Sequence, residues 1–396
     1  MSKVLLQLAL GTLLMSCLQS GGVKQGQLDG INIGLVEKRL PFLLSHAVDE
    51  TGFPRSYDPS AQEIKEVPSK DWTSGFYPGS LIYSYLLTDD KKYLYHAMKW
   101  LPHMQKEQYN DRTHDMGFKI MCSLGNYDRY VNQYQYRAVI LRSATTLMTR
   151  YNPVVGCTKS WNFGGNRWDF PVIIDNMMNL ELLFEATRMS GDSSYHKAAE
   201  QHAMMTLANH FRPDFSSYHV VDYNPETGQV IKKITHQGLN NESVWSRGQA
   251  WGLYGFTMAY RYTRNPQFLQ QAINIADFVT THPALREDKV PYWDMQDPAI
   301  PKAPRDASAA AITASALIEL AQLSDQKRFH ATAKDIITAL VGAEYVLDQS
   351  KDIPFILDHS TGNMPKNDEI DAPISYADYY LMEALVRLKY GTQALK

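Results

Sequence analysis

Two aspartates in the sequence stand in settings that could support acid and base catalysis. Asp115, in "THDMGF", lies directly before an apolar run, and Asp175, in "PVIIDNMMNL", lies between isoleucines and methionines. A carboxyl that is desolvated by apolar neighbours has a raised pKa and can hold a proton near neutral pH, as a general acid must. A second carboxylate close by would raise that pKa further. The pattern therefore indicates Asp175 and Asp115 as candidate catalytic residues.

The residue types alone leave a structural role open for each of these acids. Aspartate is favoured at helix N-caps and in turns. The other candidates are accordingly interpreted as caps or solvated loop acids, and they are Asp71, Asp169, Asp294, Asp306 and Asp371. A position at the start of a predicted helix also works against a raised pKa of Asp175, because the helix dipole favours the charged form. Whether the pair is catalytic therefore depends on the fold that positions it.

Other kinds of active site have less support in the sequence. There is no Gly-x-Ser-x-Gly elbow, no phosphate-binding loop and no dinucleotide fingerprint. No Cys-x-x-Cys or His-Glu-x-x-His pattern suggests zinc, and His114, His219 and His236 follow no spacing typical of metal ligands. Cys122 and Cys157 are most simply packed interior residues. We therefore expect no metal and no cofactor.

The composition favours a globular chain with a small-molecule partner. The chain has 396 residues, of which 44% are hydrophobic and 20% charged, enough for a large core. The formal net charge is -3 and no run of basic residues stands out, so nucleic acid is not an expected partner. The chain also contains 24 Tyr and 7 Trp. Most tyrosines are expected in the core, but such residues also give carbohydrate clefts the flat faces on which sugars stack.

The first residues resemble an export signal followed by a linker. A lysine at position 3 precedes an uncharged stretch from Val4 to Met15, and "LMSC" resembles a bacterial lipobox ending at Cys17. We expect residues 1–17 to be a lipoprotein signal peptide with Cys17 lipidated, and residues 18–30 to be a tether. An ordinary secretory signal is the alternative. The expected location is the periplasm of a Gram-negative bacterium, with membrane contact only through this anchor.

Comparing the chain with itself reveals a repeated helical unit. The segments "LTDDKKYLYHAMKW" (87–100), "MSGDSSYHKAAEQH" (189–202), "TRNPQFLQQAINIAD" (263–277) and "LSDQKRFHATAKDI" (323–336) share a polar turn, an aromatic residue and an Ala-containing helix. The segments before them also look helical, since apolar residues recur at helical spacing and strand-like alternation is absent. The repeat predicts an all-α fold of helical hairpins, an (α/α)6 barrel.

Longer segments rich in Trp, Gly, Pro and Asp separate the repeats. They include "DWTSGFYPGS", "THDMGF", "WNFGGNRWDFPVIIDN", "VWSRGQAWGLYG", "PYWDMQDP" and "DAPISYADYY". In a closed ring of hairpins, the loops that enter the inner helices all reach one end and form a cleft there. We therefore expect one site at this end and a single catalytic domain over residues 31–396.

Four of the motifs also resemble a known family when they are taken in order. "HDMGF", "DFPVIIDNMMNLELLFEAT", "THQGLNNESVWSRGQAWGLYG" and "DAPISYADYYLMEAL" are similar to the unsaturated glucuronyl hydrolases of glycoside hydrolase family 88. The resemblance extends from about residue 31 to the C-terminus. It implies an (α/α)6 barrel that acts on small oligosaccharides, mostly disaccharides, left by polysaccharide lyases.

The resemblance also implies a particular reaction and no metal or nucleophile. The substrate ends in a uronate with a C4=C5 double bond, which forms a vinyl ether with the ring oxygen. Protonation of C4 leaves a cation at C5 that the ring oxygen shares, and water then adds at C5. The resulting hemiketal opens and releases the neighbouring sugar. Such an enzyme must supply a proton to carbon, activate one water and bind a carboxylate.

Site residues follow from the resemblance at the matching positions of this chain. Asp175 matches the general acid and base of the family, and Asp115 matches the second essential carboxylate. Arg247 is the expected partner of the substrate carboxylate, because a guanidinium can bind it in a bidentate way; a structural ion pair is its alternative role. The remaining expected substrate contacts are Trp72, His219, Gln237, Trp245 and Trp251.

One region departs from the family pattern. Members that prefer sulfated disaccharides can carry Ser-x-Ser-x-Lys in a late loop, whereas "HSTGNMPKNDEIDAP" offers Ser360, Asn363 and Lys366 without that spacing. Lys366 is interpreted as a solvated loop residue rather than a sulfate ligand. Two other functions stay open, an unsaturated rhamnogalacturonyl hydrolase acting on pectin fragments and a carbohydrate-binding lipoprotein without turnover. The oligomeric state cannot be predicted.

Overall fold

The computed structural model describes residues 27–49 and 51–391, and helices dominate it. The α-helices are α1 (Gly34–Arg39), α2 (Phe76–Thr88), α3 (Lys91–Gln105), α4 (Met116–Ile120), α5 (Asn126–Tyr130), α6 (Arg137–Met148), α7 (Leu180–Ser190), α8 (Ser193–Asn209), α9 (Ser246–Thr263), α10 (Pro266–Thr281), α11 (Ala307–Ser324), α12 (Lys327–Leu340) and α13 (Ser375–Tyr390). A π-helical turn, Met121–Gly125, joins α4 to α5, and 3-10 helices include Leu40–Leu44 and Ile174–Asn179.

The helices form an inner and an outer ring. The inner ring consists of α2, the α4–α5 segment, α7, α9, α11 and α13; neighbouring members contact each other, and α13 contacts α2 and closes the ring. The longer outer helices α3, α8, α10 and α12 each pack against the inner helix that precedes them. The (α/α)6 barrel predicted from the repeat is therefore confirmed.

The repeated motif corresponds to one kind of connection between inner and outer helices. Each of the inner helices α2, α7, α9 and α11 ends at a residue in the left-handed region, namely Asp89, Gly191, Arg264 and Asp325. The next residue then begins the outer helix, and in the first three hairpins its side chain accepts a hydrogen bond from a backbone N–H of the first turn; these caps are Asp90, Asp192 and Asn265. A left-handed C-cap followed at once by an N-cap explains the polar turn in the sequence.

The inner helix α11 is apolar on all its faces along most of its length. All residues of α11 from Ala307 to Ala321 are buried, and most of them are alanine, isoleucine or leucine. Among the described residues, α11 is long and apolar enough to cross a membrane, but 78% of it is buried inside the barrel. It is therefore accounted for as a core helix of the ring.

The segments before and between the helices contain short strands that the sequence analysis did not predict. They are β1 (Gln27–Leu28), β2 (Ile31–Asn32), β3 (Phe53–Asp58), β4 (Glu63–Val67), β5 (Tyr151–Asn152), β6 (Cys157–Thr158), β7 (Phe170–Ile173), β8 (Val220–Tyr223) and β9 (Val230–Ile234). The strands β7, β8 and β9 form an antiparallel sheet in that order. Its register pairs Ile173 with Val220, which brings the residues after β7 beside those before β8.

The N-terminal predictions are only partly covered by the structure. Residues 27–30, the end of the predicted tether, form β1 and the turn to β2, and Leu28 is buried in the core. The predicted signal peptide and its lipobox residue Cys17 lie outside the described residues. Lipid anchoring at Cys17 and a periplasmic location therefore stay predictions.

Candidate active site

The predicted site residues gather where loops enter the inner helices. Trp72 lies before α2, Asp115 is the N-cap residue of α4, and Asp175 lies in the 3-10 helix that leads into α7. Trp245 is the N-cap residue of α9, and Arg247 lies in its first turn. Because the inner helices begin at the same end of the barrel, these side chains share one region, as the loop pattern predicted.

Asp175 is a buried carboxyl with few polar partners. Its side chain is 11% exposed, and Oδ2 has no hydrogen-bond partner within the described part of the chain. Burial raises the pKa of Asp175 to about 7; Arg247 opposes this shift, and the charge of Asp115 adds to it. The carboxyl can therefore hold a proton near neutral pH and release it there, which a general acid and base requires.

Asp115 has more polar contacts than Asp175. The Thr113 hydroxyl donates to its Oδ2 at 2.8 Å, and His114 Nε2 lies 3.3 Å from its Oδ1. Although Asp115 occupies the N-cap position of α4, its side chain makes no capping hydrogen bond. The carboxylate is therefore turned away from the helix and is available to the site.

Close backbone packing fixes the two carboxylates relative to each other. The backbone N–H of Phe118 in α4 donates to Asn179 Oδ1 at 3.0 Å, at the end of the 3-10 helix that holds Asp175. Gly117 permits this approach, because a Cβ atom there would lie 2.5 Å from Asn179 Cα. A side chain at this position would push the two segments apart.

His219 faces Asp175 as a neutral ring. Its Nδ1 accepts the backbone N–H groups of His236 at 3.1 Å and Gln237 at 3.0 Å. A nitrogen that accepts carries no proton, so the neutral ring is protonated on Nε2, which lies 3.8 Å from Asp175 Oδ2. Burial, with His236 and Arg247 nearby, lowers the pKa of His219 well below its usual value. The ring thus presents an N–H donor to the site.

Arg247 is buried and already has several acceptors. Its Nη1 donates to Asp306 Oδ2 at 2.9 Å and to the carbonyl of Thr361, and its Nη2 donates to the carbonyl of Gly362. The guanidinium also lies over the rings of Trp245 at 4.8 Å and Tyr376 at 5.3 Å. The structural ion pair considered for Arg247 is therefore present, and its binding of a substrate carboxylate stays a prediction.

The three predicted tryptophans differ in exposure. Trp72 is partly buried and packs against Phe118 at 5.5 Å and Tyr376 at 5.1 Å between ring centroids. Trp245 lies 4.6 Å from the ring of His219. Trp251 is 0% exposed and packs under the site against Phe118 and Tyr380. The structure places Trp251 below the cleft surface, and its contact with substrate stays a prediction.

Gln237 links two loops of the site. Its backbone N–H fixes His219, and its side-chain Nε2 donates to the carbonyl of Gly362 at 3.2 Å. The same carbonyl accepts from Arg247. The late loop around Gly362 therefore contacts two of the predicted substrate-binding residues directly.

Salt bridges hold this late loop in place. Arg55 of β3 pairs with Glu369, whose side chain is 2% exposed, and Lys65 of β4 pairs with Asp368 at 2.8 Å. Gly362 packs closely against Glu369, so a Cβ atom at position 362 would clash with Oε2 of Glu369. Of the residues that departed from the family pattern, Ser360 is buried and Lys366 is exposed.

Most of the remaining candidate aspartates make structural contacts, but the expectation of a cap or a solvated loop acid is wrong for Asp294, which is 0% exposed and caps no helix. Asp306 caps α11 through Ser308 and Ala309, and Asp71 accepts from the backbone of Thr73. Asp294 accepts from a backbone N–H and a serine hydroxyl in the loop before α9, and Asp371 pairs with His359. Asp175 differs from these acids, because its Oδ2 has no hydrogen-bond partner among the described residues.

Two aromatic groups in the site were not singled out from the sequence. Tyr376 is fully buried between Trp72 and Arg247, and its hydroxyl has no partner among the described residues. Trp161 stacks on the exposed Phe163 at 4.9 Å and lies 5.0 Å from His236. Both residues belong to segments that were expected to line the cleft, but aromatic residues are too numerous in this chain to choose among them by residue type.

A metal site is absent from the described ranges, 27–49 and 51–391. Within them no group of three or more His, Cys, Asp or Glu side chains is placed to hold an ion. The groups of the site that can transfer protons or bind anions are its carboxyls, histidine and arginine.

Comparison with known proteins identifies the family. The profile of Glycosyl Hydrolase Family 88 matches residues 44–395. The chain belongs to glycosyl hydrolase family 88. An unsaturated glucuronyl hydrolase of Formosa agariphila is 50% identical over 390 residues, which cover 97% of each chain.

Solved structures of family 88 members share the fold. The crystal structure of an unsaturated glucuronyl hydrolase specific for heparin superposes with a TM-score of 0.87 at 42% identity, covering 90% of this chain and 96% of that one. A Streptococcus agalactiae member complexed with dGlcA-GalNAc6S gives a TM-score of 0.75 at 27% identity, covering 90% and 89%. The family, the barrel and the assignment as a glycoside hydrolase are confirmed.

Proposed function

We propose that the protein is an exo-acting hydrolase that removes the C4=C5 unsaturated glucuronate from disaccharides made by polysaccharide lyases. The substrate is a vinyl ether, so hydrolysis begins with a proton transfer to carbon C4. Water then adds at C5, the hemiketal opens, and the neighbouring sugar is released with its hydroxyl restored. Water is the only co-reactant, so the reaction balances without a metal or cofactor.

The buried carboxyl of Asp175 is the observation that carries this proposal. Its pKa of about 7 allows it to donate the proton to C4 and afterwards to accept one from the attacking water. Asp115 supplies a nearby negative charge that supports the proton on Asp175 and can also bind substrate hydroxyls. His219 presents its Nε2–H toward the same space.

The other predicted residues provide a pocket for the unsaturated ring. Trp245 and Trp72 offer aromatic faces, and Arg247 is the cation beside them. In the transition state, partial positive charge develops on C5 and the ring oxygen. An anionic neighbour such as Asp115 stabilises that charge. Glycosaminoglycan fragments are the proposed source of the substrate, which the heparin-specific structure and the Streptococcus agalactiae complex with dGlcA-GalNAc6S support.

Replacing the proposed general acid tests the function directly. Asp175→Asn removes the proton donor while keeping the shape, so turnover of an unsaturated chondroitin disaccharide should fall by about 100-fold to 10,000-fold. Loss of the ultraviolet absorbance of the alkene measures this rate. Asp335→Asn, at an exposed position of α12, is the matched control and should retain the wild-type rate. Near-normal turnover by Asp175→Asn would refute the assignment.

The same assay separates the alternative functions. A rhamnogalacturonyl hydrolase would consume unsaturated pectin fragments faster than the glucuronyl disaccharides. A carbohydrate-binding protein would retain the disaccharide unchanged, as equilibrium dialysis followed by analysis of the recovered sugar would show. The proposal requires turnover of the glucuronyl substrate with release of the second sugar.

A further inference from the structure

The first turn of the inner helix α13 carries a tyrosine at the same end of the barrel as the candidate carboxyls. Tyr376 is the second residue of α13, and α13 packs against α2, which begins shortly after Trp72. The chain that enters α13 is fixed by β3, since the backbone N–H of Tyr57 donates to the carbonyl of Pro373 at 3.1 Å. The position of Tyr376 therefore follows from the closure of the ring.

The ring of Tyr376 is held by its neighbours, whereas its hydroxyl is not. The ring centroid lies 5.1 Å from that of Trp72 and 5.9 Å from that of Phe76, and the guanidinium of Arg247 lies 5.3 Å from it. The residue is 0% exposed, and its hydroxyl has no hydrogen-bond partner among the described residues. Burying a polar group without a hydrogen bond is unfavourable, so a ligand that accepts from this hydroxyl would remove that cost.

The hydroxyl of Tyr376 is an uncharged donor in a charged neighbourhood. Burial raises the pKa of Tyr376 above its usual value; Arg247 and Arg55 oppose this shift, and Glu369 and Asp306 add to it. The four charged neighbours form two ion pairs, because Arg55 binds Glu369 and Arg247 binds Asp306. The hydroxyl therefore keeps its proton at neutral pH and can donate it in a hydrogen bond.

Arg247 connects this hydroxyl to the candidate acid. Its guanidinium lies over the ring of Tyr376, and it is also the cation that opposes the raised pKa of Asp175. Among the described residues, Nη1 donates twice and Nη2 once, to Asp306 and to two loop carbonyls. The Nε–H and the second hydrogen of Nη2 can therefore meet a ligand. Tyr376 and Arg247 can thus act on one anionic group near Asp175.

The substrate of the proposed reaction places an anion next to the reacting carbon. In the unsaturated uronate the carboxylate is attached to C5, which is bonded to the C4 that accepts the proton. A group that binds this carboxylate must therefore lie beside the acid. An uncharged donor suits this place, because it leaves the negative charge of the carboxylate next to the positive charge that develops on C5.

We propose that the Tyr376 hydroxyl binds the carboxylate of the unsaturated uronate together with Arg247, and so makes the site specific for an acidic sugar. This inference rests on the proposed function, since it names a group that recognises the substrate of that reaction. Its support is the burial of the hydroxyl, its lack of a partner among the described residues and its place beside Arg247.

Kinetics with two substrates test this contact. One is an unsaturated chondroitin disaccharide, and the other is the same disaccharide with the carboxyl of its unsaturated ring reduced to a primary alcohol. Tyr376→Phe should lower kcat/KM for the acid by about 10-fold to 100-fold, mainly through KM, because the hydrogen bond is present before and during the reaction. For the alcohol, kcat/KM should fall by less than about 3-fold, since an uncharged acceptor gains less. Equal losses on both substrates would show a structural role and overturn the proposal.

Tyr223→Phe is the matched control for the loss of a buried hydroxyl. Tyr223 of β8 is also 0% exposed, and it packs with Cys157 and Phe170 in a separate apolar cluster. Its replacement should leave kcat/KM at the wild-type value for both substrates. If Tyr223→Phe lost as much activity on the acid as Tyr376→Phe, the carboxylate contact would be contradicted.

Equilibrium binding separates this inference from the proposed function. Isothermal titration calorimetry with Asp175→Asn measures the affinity for the acid and for the alcohol without turnover. Adding Tyr376→Phe should weaken binding of the acid by about 10-fold or more and change that of the alcohol by less than about 3-fold. If the wild type fails to consume the disaccharide, the proposed function is wrong, whereas a selective loss of affinity for the acid would still establish the contact. Unchanged affinity for the acid, or no binding of it by either protein, would refute the contact.

Discussion

Two buried carboxyls six residues apart, Asp175 and Glu181, behave in opposite ways. Their side chains are similarly exposed, at 11% and 13%. Burial raises the pKa of Asp175 to about 7. Burial alone would raise that of Glu181 as well, but Arg129 and Arg261 hold the pKa of Glu181 at about 2. The charged neighbours of each carboxyl, rather than how deeply it is buried, therefore decide which of the two acids carries a proton at neutral pH.

The difference follows from where the barrel places its arginines. Glu181 Oε1 accepts from Arg129 Nη2 at 2.8 Å and from Arg261 Nη2 at 2.7 Å. These residues belong to a charge network between the inner helices, formed by Arg129, Glu181, Arg261, Glu319, Glu383 and Arg387. Around Asp175, Arg247 is the cation with the largest effect on the pKa, and its own N–H groups donate to Asp306 and to loop carbonyls. The arginines of the network thus hold Glu181 in its charged form, whereas Asp175 is left able to titrate near neutral pH.

Glu181→Gln should produce the largest change in stability. Removing one partner from a buried charge network costs about 3–5 kcal/mol, because Arg129 and Arg261 lose their counter-charge. The lowered pKa means that the contribution of Glu181 is present above about pH 4.5 and is lost as the pH falls toward 2. Chemical denaturation of the variant and the wild type at neutral and acid pH measures the difference.

A surface variant serves as the control for Glu181→Gln. Glu226→Gln, in the exposed turn between β8 and β9, should change the free energy of unfolding by less than about 0.5 kcal/mol. If Glu181→Gln were no more destabilising than this control, the charge network would not stabilise the barrel.

Asp175→Asn should change stability in the opposite direction and somewhat less. A carboxyl whose pKa stands at about 7 instead of 3.8 destabilises the fold by up to about 4 kcal/mol once it is ionised. That cost appears as the pH rises from about 3.8 through about 7, so the variant should be more stable than the wild type at pH 8 and similar to it near pH 4. Denaturant unfolding at the two pH values measures it, with Asp335→Asn as control. An equal effect at both pH values would contradict the comparison.

Part of this architecture could be predicted because local chemistry repeats. The polar turns mark the hairpins through Asp90, Asp192 and Asn265, whose caps depend only on neighbouring residues. The ring and its cleft follow from that repetition. Asp175 could be identified as a candidate acid because its apolar neighbours are adjacent to it in the sequence. Its desolvation could therefore be predicted from local sequence alone.

The rest depends on contacts between distant segments. The pairing of Glu181 with Arg261 joins residues 80 positions apart, and that of Arg247 with Asp306 joins residues 59 apart. The tautomer of His219 depends on the register that brings it beside His236. The short strands are also missed, since β7 pairs with β8 across the two helices α7 and α8, and none of these strands is long enough to show an alternating pattern.

The protonation state of Asp175 is the most direct test of this account. Infrared difference spectra between the wild type and Asp175→Asn, recorded over the pH range from about 3 to about 9, isolate the signal of this carboxyl. The account predicts that the carbonyl stretch of a protonated acid persists to neutral pH and disappears with a midpoint near 7. Disappearance of that band near pH 4 would show an ordinary aspartate and contradict the central claim.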